Sequence, residues 1–355
     1  MENKTELCRL YPEELKQFIL NLGESAFRAG QIQKWIKDGR EIGEMSNLSK
    51  ALREKLDACA YVNGVRIIES ITSKLDGTQK YLYELIDGNI IEGVRMRYKY
   101  GDTLCVSTQV GCRMGCKFCA STLEGCVRNL TAGEILGQIL AVNRMIKDEN
   151  PEEYGIHNVV LMGSGEPLDN YDEVIRFLRL LRMPEGLNIS PRNVSLSTCG
   201  LVPKMYDLAN EDLPVTLSVS LHAPNDEIRK TMMPIANAYA MEDVLKACRN
   251  YIEKTGRRVI FEYALVKGVN CSDECADELA SKLRGMQCHV NVIPLNDVKE
   301  RSLEGPTNDM VNGFLARLEK RHISATRRRE MGDDIQGACG QLRRSRIRKD
   351  EGENK

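Results

Sequence analysis

Between residues 98 and 320 the sequence alternates between short apolar strands and longer amphipathic helices, and this alternation limits the fold more than any other feature. Runs rich in Val, Ile and Leu predict six strands, at 103–110, 158–163, 193–198, 215–221, 258–265 and 289–294. Helical periodicity lies between them, for example at 132–146, 171–181 and 241–254. Repeated strand–helix units predict a parallel sheet. Because six units are too few for an eight-fold barrel, we expect an α/β fold with a partial (β/α)6 barrel, with a doubly wound sheet as the alternative.

The first 97 residues follow a different pattern. Three amphipathic helices are predicted, in YPEELKQFILNL, GQIQKWIKDG and SNLSKALREKL. Strands follow that are separated by the hairpin turns DGT (76–78) and DGN (87–89). We therefore expect three parts: an α-helical and β-hairpin accessory domain at 1–97, the barrel at 98–340, and a basic, flexible tail at 341–355.

Composition indicates a cytosolic protein. The chain has no run of about 18 apolar residues that could cross a membrane, and its polar start (MENKTELCRL) lacks the apolar stretch of a signal peptide.

Thirteen cysteines are many for such a chain, and an odd number cannot all form disulfides. Since the cytosol is reducing, some of these thiols are expected to bind metal or to react, and others to pack as small apolar residues.

The net charge of −1 argues against general affinity for nucleic acid, but the basic residues are unevenly distributed. One cluster contains Arg317, Lys320, Arg321, Arg327, Arg328 and Arg329, and the tail reads RRSRIRK at 343–349. Such runs are often solvated tails, yet a basic patch on a neutral protein is also how a nucleic-acid footprint looks. Both interpretations stay open at this point.

Chemistry-bearing residues follow the predicted strands, at the end of a βα fold where active sites lie. The first strand leads into GCRMGCKFC and the second into GSGEP (163–167). Later strands end in STCG (197–200), SLHAPND (220–226) and PLND (294–297). The sequence therefore predicts three thiols, a Gly-rich acidic turn and several small polar groups on one rim.

The thiols Cys112, Cys116 and Cys119 form a C-x3-C-x2-C motif. Structural zinc usually needs two separated ligand pairs, and Cys271 and Cys275 are better explained as packing residues on a predicted helix. An iron–sulfur cubane takes one thiolate per iron, so three thiolates leave one iron open for a non-protein ligand.

The motif, with Phe118 before its last cysteine, resembles the radical S-adenosylmethionine (SAM) signature. The resemblance implies a [4Fe–4S] cluster on the three cysteines, with SAM bound at the open iron and cleaved to a 5′-deoxyadenosyl radical. It also implies cofactor contacts in the loops after the strands, at Gly165, Glu166, Ser197, Ser220, Leu221, His222 and Asn296.

Over nearly its whole length the chain resembles the RlmN family. The resemblance is carried by TLCVSTQVGCRMGCKFCASTLEGCVRNL, MGSGEPLDN, VSLSTCG, VSLHAPND, NVIPLND and RRREMGDDIQGACGQL. It implies methylation of adenine carbon 2, at adenosine 2503 of 23S ribosomal RNA and adenosine 37 of transfer RNA. One departure is Ser164, where the family more often has Met; the contact there is made by the backbone, so the difference casts little doubt.

Two further cysteines and a glutamate acquire roles from this resemblance. Cys339 takes a methyl group from one SAM molecule, and a radical formed with a second SAM molecule joins that methyl carbon to the base. Cys105 then resolves the protein–RNA crosslink and forms a disulfide with Cys339 that must be reduced. Glu92 shares strand parity with apolar residues in NIIEGVRMRY, where a carboxylate tends to have a raised pKa, and the resemblance makes it the proton acceptor.

The implied partners are both RNAs and an electron donor such as flavodoxin or ferredoxin. We expect the protein to be a monomer that binds RNA through its N-terminal domain. We expect no association with membranes. Three alternatives remain open: a Cfr-type carbon-8 methyltransferase, a glycyl-radical activase, and a zinc-bearing RNA-binding module without catalysis. Pro167 is modest evidence against the carbon-8 methyltransferase. An activase would have no use for Cys105 and Cys339.

Overall fold

The computed structural model describes residues 4–295 and 303–335. Its N-terminal part contains α1 (Pro12–Asn21), α2 (Phe27–Lys37) and α3 (Lys50–Cys59). The strands on either side of these helices, β1 (Thr5–Glu6) and β2 (Ala60–Tyr61), pair with each other. Pro12 occupies the first turn of α1, and the Ser49 hydroxyl caps α3 by accepting from Leu52 N. Trp35 is partly buried and packs against the core. The three predicted helices are confirmed.

An antiparallel meander follows, made of β3 (Val65–Thr72), β4 (Gln79–Leu85) and β5 (Ile90–Tyr98). Both predicted turns are present, and Gly77 and Gly88 adopt the positive φ that such turns require. β5 then pairs antiparallel with β6 (Gly101–Cys105), so one sheet continues across residue 97, where the sequence pattern changes.

The barrel wall is parallel and its strands lie in chain order. After the small β7 (Gln109–Gly111) and β8 (Cys126–Asn129) pair come β9 (Asn158–Leu161), β10 (Val194–Thr198), β11 (Thr216–Ser220), β12 (Val259–Leu265), β13 (Cys288–Pro294) and β14 (Ala325–Arg327). In the described residues the large sheet reads β14-β13-β12-β11-β10-β9-β6-β5-β4-β3. A doubly wound sheet would reverse its order at a switch point, so the partial barrel is confirmed.

Two details differ from the sequence analysis. The predicted strand 103–110 is two strands, because Thr108 N and Gln109 N leave the sheet and donate to Ser164 O at 2.9 and 3.0 Å. β14 was not predicted; it is three residues long, lies in a basic segment and pairs with β13.

Among the described residues, seven helices accompany the wall: α4 (Ala132–Glu149), α5 (Tyr171–Leu181), α6 (Val202–Ala209), α7 (Asp226–Met232), α8 (Met241–Thr255), α9 (Asp273–Leu283) and α10 (Asn308–Lys320). One face of each parallel strand is apolar and buried among them, for example Leu196, Leu217 and Phe261. The opposite, inner face carries polar residues such as Ser197, Ser218 and Glu262. In the part of the chain that the structure describes, no helix is long and apolar enough to cross a bilayer.

Candidate active site

The cysteine loop lies between β7 and β8 and is held by its own backbone. Cys112 N donates to Gly125 O at 2.8 Å, and Cys119 N donates to Cys116 O at 3.1 Å. The Thr122 hydroxyl donates to the carbonyls of Cys116 and Cys119, at 3.2 and 2.9 Å. These contacts fix the three thiols on one tight loop.

The close packing of this loop requires glycine at position 111. Gly111 has a φ of 78°, and a methyl group there would lie 2.0 Å from Gly125 O, so no side chain is tolerated. Lys117 N donates to Met232 O at 2.9 Å, which attaches the loop to the end of α7.

The thiols occupy an apolar environment and influence one another. Burial raises the pKa of Cys112 and Cys116 to about 12, and the nearby Cys119 thiol contributes to that increase. Cys116 and Cys119 pack with Met232, Met233, Val266 and Phe118. Cys112 and Cys116 are buried and Cys119 is half-buried, and three soft sulfur donors on one loop fit an iron–sulfur cluster.

A single metal ion would need a different arrangement. Within 4–295 and 303–335, no three His, Cys, Asp or Glu side chains converge as they would around one ion. A cluster does not require such convergence, because each thiolate binds its own iron.

The Gly-rich turn after β9 packs directly on β7. Gly165 has a φ of 114°, and a methyl group there would lie 2.7 Å from both Gln109 N and Thr108 Oγ1. Glu166 N donates to Gln109 Oε1 at 2.9 Å. The turn therefore presents a closely packed backbone edge beside the cysteine loop, and its contact with a cofactor stays a prediction.

Glu166 itself braces two loops. Its Oε1 accepts from Leu168 N at 3.0 Å and its Oε2 accepts from Cys199 N at 2.7 Å. Burial raises the pKa of this carboxyl, and the two N–H donors counteract that effect. The role of Glu166 visible here is to join the ends of β9 and β10; contact with a cofactor stays a prediction.

The residues at the end of β11 connect it to the cysteine loop. His222 is buried, its ring lies edge-on to Phe118 with centroids 4.5 Å apart, and its Nδ1 accepts from Ala264 N at 2.8 Å. Burial lowers the pKa of His222 to about 3, so the ring is neutral and its proton is on Nε2. The Leu221 side chain is in the apolar core, which leaves only its backbone for a ligand.

Unpaired polar atoms mark the inner face of the wall. Ser197 and Ser218 are register partners on β10 and β11, and Ser220 is the register partner of Glu262 on β12. Ser218 Oγ and Glu262 Oε2 are buried without a hydrogen-bond partner among the described residues. Since buried polar atoms normally have partners, this face fits a polar ligand. Asn296 lies outside the described residues.

Cys105 and Glu92 are brought onto the same buried face. Cys105 ends β6 opposite Val94 of β5, and Glu92 lies two residues earlier on β5, where its carbonyl accepts from the Ser107 hydroxyl at 2.8 Å. The side chain of Glu92 is buried rather than reaching solvent, with Lys80 Nζ 3.6 Å from its Oε2. Cys339, the second predicted reactive thiol, lies outside the described residues.

Sequence reasoning missed two positioning residues. Lys80 is fully buried on β4 beside Glu92, and the alternation in QKYLYEL could have revealed that it faces the site. Arg229 on α7 is fully buried, and its Nη2 donates to Cys199 O at 2.7 Å. Nothing in the local sequence of α7 distinguishes Arg229 from a surface arginine.

The basic cluster is not one continuous patch. Arg317 and Arg321 both bind Asp277, at 2.6 and 2.7 Å, and hold the pKa of that carboxyl well below its usual range. Arg328 instead points inward, with Nη1 3.9 Å from Glu262 Oε2. Cys271 and Cys275 pack against the core, in agreement with the interpretation given above.

Comparison with known proteins places this geometry in a family. Residues 106–280 match the model of the radical SAM superfamily, and residues 5–62 match that of the ribosomal RNA large subunit methyltransferase N-terminal domain. Similar relatives include the probable dual-specificity RNA methyltransferases RlmN of Clostridium novyi (strain NT), 54% identical over 95% of this chain and 97% of the relative, and of Clostridium perfringens (strain 13 / Type A), 55% identical over 95% and 96%.

A solved structure agrees with these matches. The crystal structure of a radical SAM methyltransferase from Sphaerobacter thermophilus superimposes with a TM-score of 0.90 at 41% identity, over 95% of this chain and 98% of that one. These findings decide against the activase and the non-catalytic zinc module. The chain belongs to the RlmN family and is a radical SAM RNA methyltransferase.

Proposed function

We propose that this enzyme methylates carbon 2 of adenosine, at position 2503 of 23S ribosomal RNA and position 37 of transfer RNA, by a ping-pong reaction through Cys339. The observation that carries the proposal is the shared buried face of Glu92 and Cys105, directly upstream of the cysteine loop. A proton acceptor and a second thiol at that place suit a reaction that must remove the carbon-2 proton and release a crosslinked base. The relatives' name, dual-specificity RNA methyltransferase, supports the two RNA classes.

Cys112, Cys116 and Cys119 would hold a [4Fe–4S] cluster, and the inner face from Gly165 to Ser220 would hold SAM. When bound, the cluster would supply the electron that cleaves SAM to methionine and a 5′-deoxyadenosyl radical, and it would take one electron back when the base regains aromaticity. Two SAM molecules are consumed per turnover, one for the methyl group and one for the radical. Ser218 Oγ, which has no hydrogen-bond partner among the described residues, supports a polar ligand on this face.

The chain's own residues then carry the methyl group. The Cys339 thiolate displaces S-adenosylhomocysteine from SAM and becomes S-methylcysteine, with its thiol proton released to solvent. Loss of a hydrogen atom from that methyl, as 5′-deoxyadenosine, leaves a carbon radical that bonds to carbon 2. Glu92 takes the carbon-2 proton. Cys105 attacks the Cys339 sulfur, the sulfur–carbon bond breaks, the methylene carbon takes a proton, and a Cys105–Cys339 disulfide remains.

The substrate requires access from outside. An adenine must leave its stack to reach residues buried inside the wall, as for other enzymes that modify bases. We propose that residues 1–97 and the exposed part of the basic cluster hold the RNA by shape and phosphate contacts. The enzyme would act as a monomer in the cytoplasm, with flavodoxin or ferredoxin as electron donor.

The test is anaerobic turnover of the cluster-loaded enzyme with methyl-labelled SAM and fragments of each RNA, followed by mass spectrometry of the nucleosides. We expect 2-methyladenosine from the wild type and from Cys275→Ala, a control at a packing cysteine, and none from Cys339→Ala or Cys105→Ala. Formation of 8-methyladenosine alone would assign the Cfr-type reaction. Absence of any methyladenosine, or full activity of Cys339→Ala, would refute the proposal.

A further inference from the structure

Arg328 follows β14 and turns a basic side chain toward the interior of the wall. Its backbone N donates to Val292 O at 2.8 Å, which extends the pairing of β14 with β13 by one residue. Thr326, two residues earlier, is in register with Asn291, and Asn291 is in register with Glu262 of the inner face. Since side chains two residues apart on a strand point to the same side, Arg328 faces inward.

The guanidinium group of Arg328 approaches residues from two distant strands. Its Nη2 lies 4.0 Å from Met162 Sδ, and its Nη1 lies 3.9 Å from Glu262 Oε2. Met162 directly follows β9 and Glu262 is on β12, and these strands are three places apart in the sheet. One side chain from the edge of the wall therefore reaches into the middle of its interior.

Met162 places this cation near the residues that are proposed to react. Val160, two residues earlier, is the register partner of Cys105. One strand spacing and two residues separate Met162 from Cys105, which amounts to about 8 Å between their Cα atoms. The target base has to reach Cys105 and Glu92, so Arg328 lies where the remainder of that nucleotide would be.

The donors of Arg328 are suited to a ligand from outside the chain. Contacts of 3.9 and 4.0 Å are longer than an N–H···O hydrogen bond, which is about 2.9 Å, and a thioether is a weak acceptor. The Arg328 side chain is 41% exposed whereas Glu262 is buried. The carboxyl group of Glu262 thus faces the cation without occupying its planar fork of N–H donors.

An extruded nucleotide carries negative charge into this interior. It has a phosphate on either side, and taking such a charge out of water is costly unless a cation meets it. A guanidinium pairs with phosphate oxygens through two parallel hydrogen bonds. Arg317 and Arg321 of the basic cluster are already paired with Asp277, whereas Arg328 is placed to meet that charge.

We propose that Arg328 binds a phosphate that flanks the target adenosine and so holds the extruded nucleotide beside Cys105. The inference rests on the proposed function, which supplies an adenosine of RNA as the substrate and Cys105 and Glu92 as its neighbours. A phosphate contact carries no sequence information, so the same residue serves both classes of RNA.

The experiment removes each partner of this contact in turn. Cluster-loaded enzyme is titrated anaerobically, without SAM, with a transfer RNA fragment that contains adenosine 37, and binding is followed by fluorescence anisotropy. In two modified fragments a neutral methylphosphonate replaces the phosphate on the 5′ or the 3′ side of that adenosine. A third fragment carries the methylphosphonate at a distant position.

Arg327→Ala is the matched control for Arg328→Ala. The Arg327 side chain is 40% exposed, but it lies on the other side of β14, where it binds Asn308 and Glu330. Because Arg328→Ala leaves Glu262 without its cation, the double variant Arg328→Ala/Glu262→Gln is measured as well, together with thermal unfolding of every variant.

We expect Arg328→Ala to bind the unmodified fragment about tenfold more weakly, and to reduce the slope of log affinity against log salt by about 0.7. One of the two flanking methylphosphonates should weaken the wild type and Arg327→Ala by a similar factor, but Arg328→Ala and the double variant by less than about twofold. Arg328→Lys, which keeps the charge and loses the fork, should fall between the wild type and Arg328→Ala.

Equal sensitivity of the wild type and Arg328→Ala to both flanking methylphosphonates would overturn the inference. A loss of SAM affinity in Arg328→Ala with RNA affinity intact would also overturn it, since the cation would then belong to the cofactor. Coupling between Arg328 and a flanking phosphate in an enzyme that forms no 2-methyladenosine would support this contact and refute the proposed function alone.

Discussion

Arg229 Nη2 donates to the carbonyl oxygen of Cys199 at 2.7 Å, and the same nitrogen lies 3.5 Å from Ser220 O. One guanidinium on α7 thus links the ends of β10 and β11, where cofactor contacts are proposed. Its Nε and Nη1 have no hydrogen-bond partner among the described residues. Burying an arginine whose nitrogens lack partners costs free energy of folding. This cost indicates that the link which Arg229 makes between the two strand ends serves the site.

Replacing Arg229 should destabilise the ends of β10 and β11 and weaken SAM binding there. Arg229→Ala leaves a cavity and an unpaired Cys199 carbonyl, so we expect the free energy of unfolding to fall by about 2–5 kcal/mol. Urea denaturation measures this, and SAM affinity by equilibrium dialysis should weaken in parallel. Arg249→Ala, at an exposed arginine of α8, should change stability by no more than about 0.5 kcal/mol. Equal losses in both variants would contradict the linking role of Arg229.

The cysteine loop should not tolerate a side chain at Gly111. Gly111→Ala combines a positive φ with a methyl group 2.0 Å from Gly125 O, so we expect a loss of about 3 kcal/mol or more and poor iron loading. Gly23→Ala is a matched control, because Gly23 has a φ of 77° and nothing within 4 Å of the added carbon. It should cost only about 1–2 kcal/mol and leave the iron content per chain unchanged. Normal iron loading of Gly111→Ala would show that the loop is not braced as described.

His222 should make stability depend on pH in the acidic range. Its pKa is lowered from 6.5 to about 3 by burial, so between these values the unfolded chain binds a proton that the folded chain does not. Stability from this group is therefore present above pH 6.5 and is lost as the pH falls, by up to about 1.4 kcal/mol per pH unit.

The variant His222→Asn keeps an acceptor for Ala264 N but cannot take up the proton. Urea denaturation between pH 7 and pH 4 should show a shallower decline for it than for the wild type. His322→Asn at the surface is the control, and it should retain the wild-type slope. Parallel curves for the wild type and His222→Asn would be inconsistent with a buried neutral ring.

The pair Lys80 and Glu92 should be strongly coupled. Removing the ammonium in Lys80→Met leaves a buried carboxylate, which we expect to cost about 3–5 kcal/mol, whereas adding Glu92→Gln should recover part of that loss. A double-mutant cycle by denaturation measures the coupling. Glu92→Gln alone should still cleave SAM reductively but should form 2-methyladenosine at least tenfold more slowly. Additive single effects would show that the two side chains act independently.

Periodicity was sufficient for most of the fold and for the location of the cysteines. The six predicted strands are present, and Cys112, Cys116 and Cys119 follow the first parallel strand as expected. The division of 103–110 into β6 and β7 could not be foreseen, because it depends on Ser164, more than fifty residues away, accepting from Thr108 N and Gln109 N. β14 was missed because its pairing partner, rather than its own basic sequence, makes it a strand.

Side-chain partners were the least predictable part of the site. Strand parity placed Glu92 on the correct face, and the alternation in QKYLYEL could have placed Lys80 there too. That the two side chains are neighbours depends on the alignment of β4 with β5, which is set by the hairpin. Glu166 was assigned to the cofactor by resemblance, and the structure adds its bonds to Cys199 N and Leu168 N. Such contacts join residues that are distant in sequence, and no local pattern encodes them.

The contacts between residues 332–335, which follow β14, and the turn at residues 73–78, which follows β3, have a consequence for how the sheet closes: Asp334 accepts from the Ser73 hydroxyl and from Lys74 N, and Gly332 N donates to Asp76. A complete eight-stranded barrel closes by strand pairing and fills its interior with its own side chains. Here the last gap is spanned by carboxylates, a hydroxyl and two backbone amides, which can separate and rejoin without unzipping a β-ladder. Within the described residues, this edge of the wall is therefore held by side chains and single amides, and lacks the continuous strand pairing that seals a complete barrel.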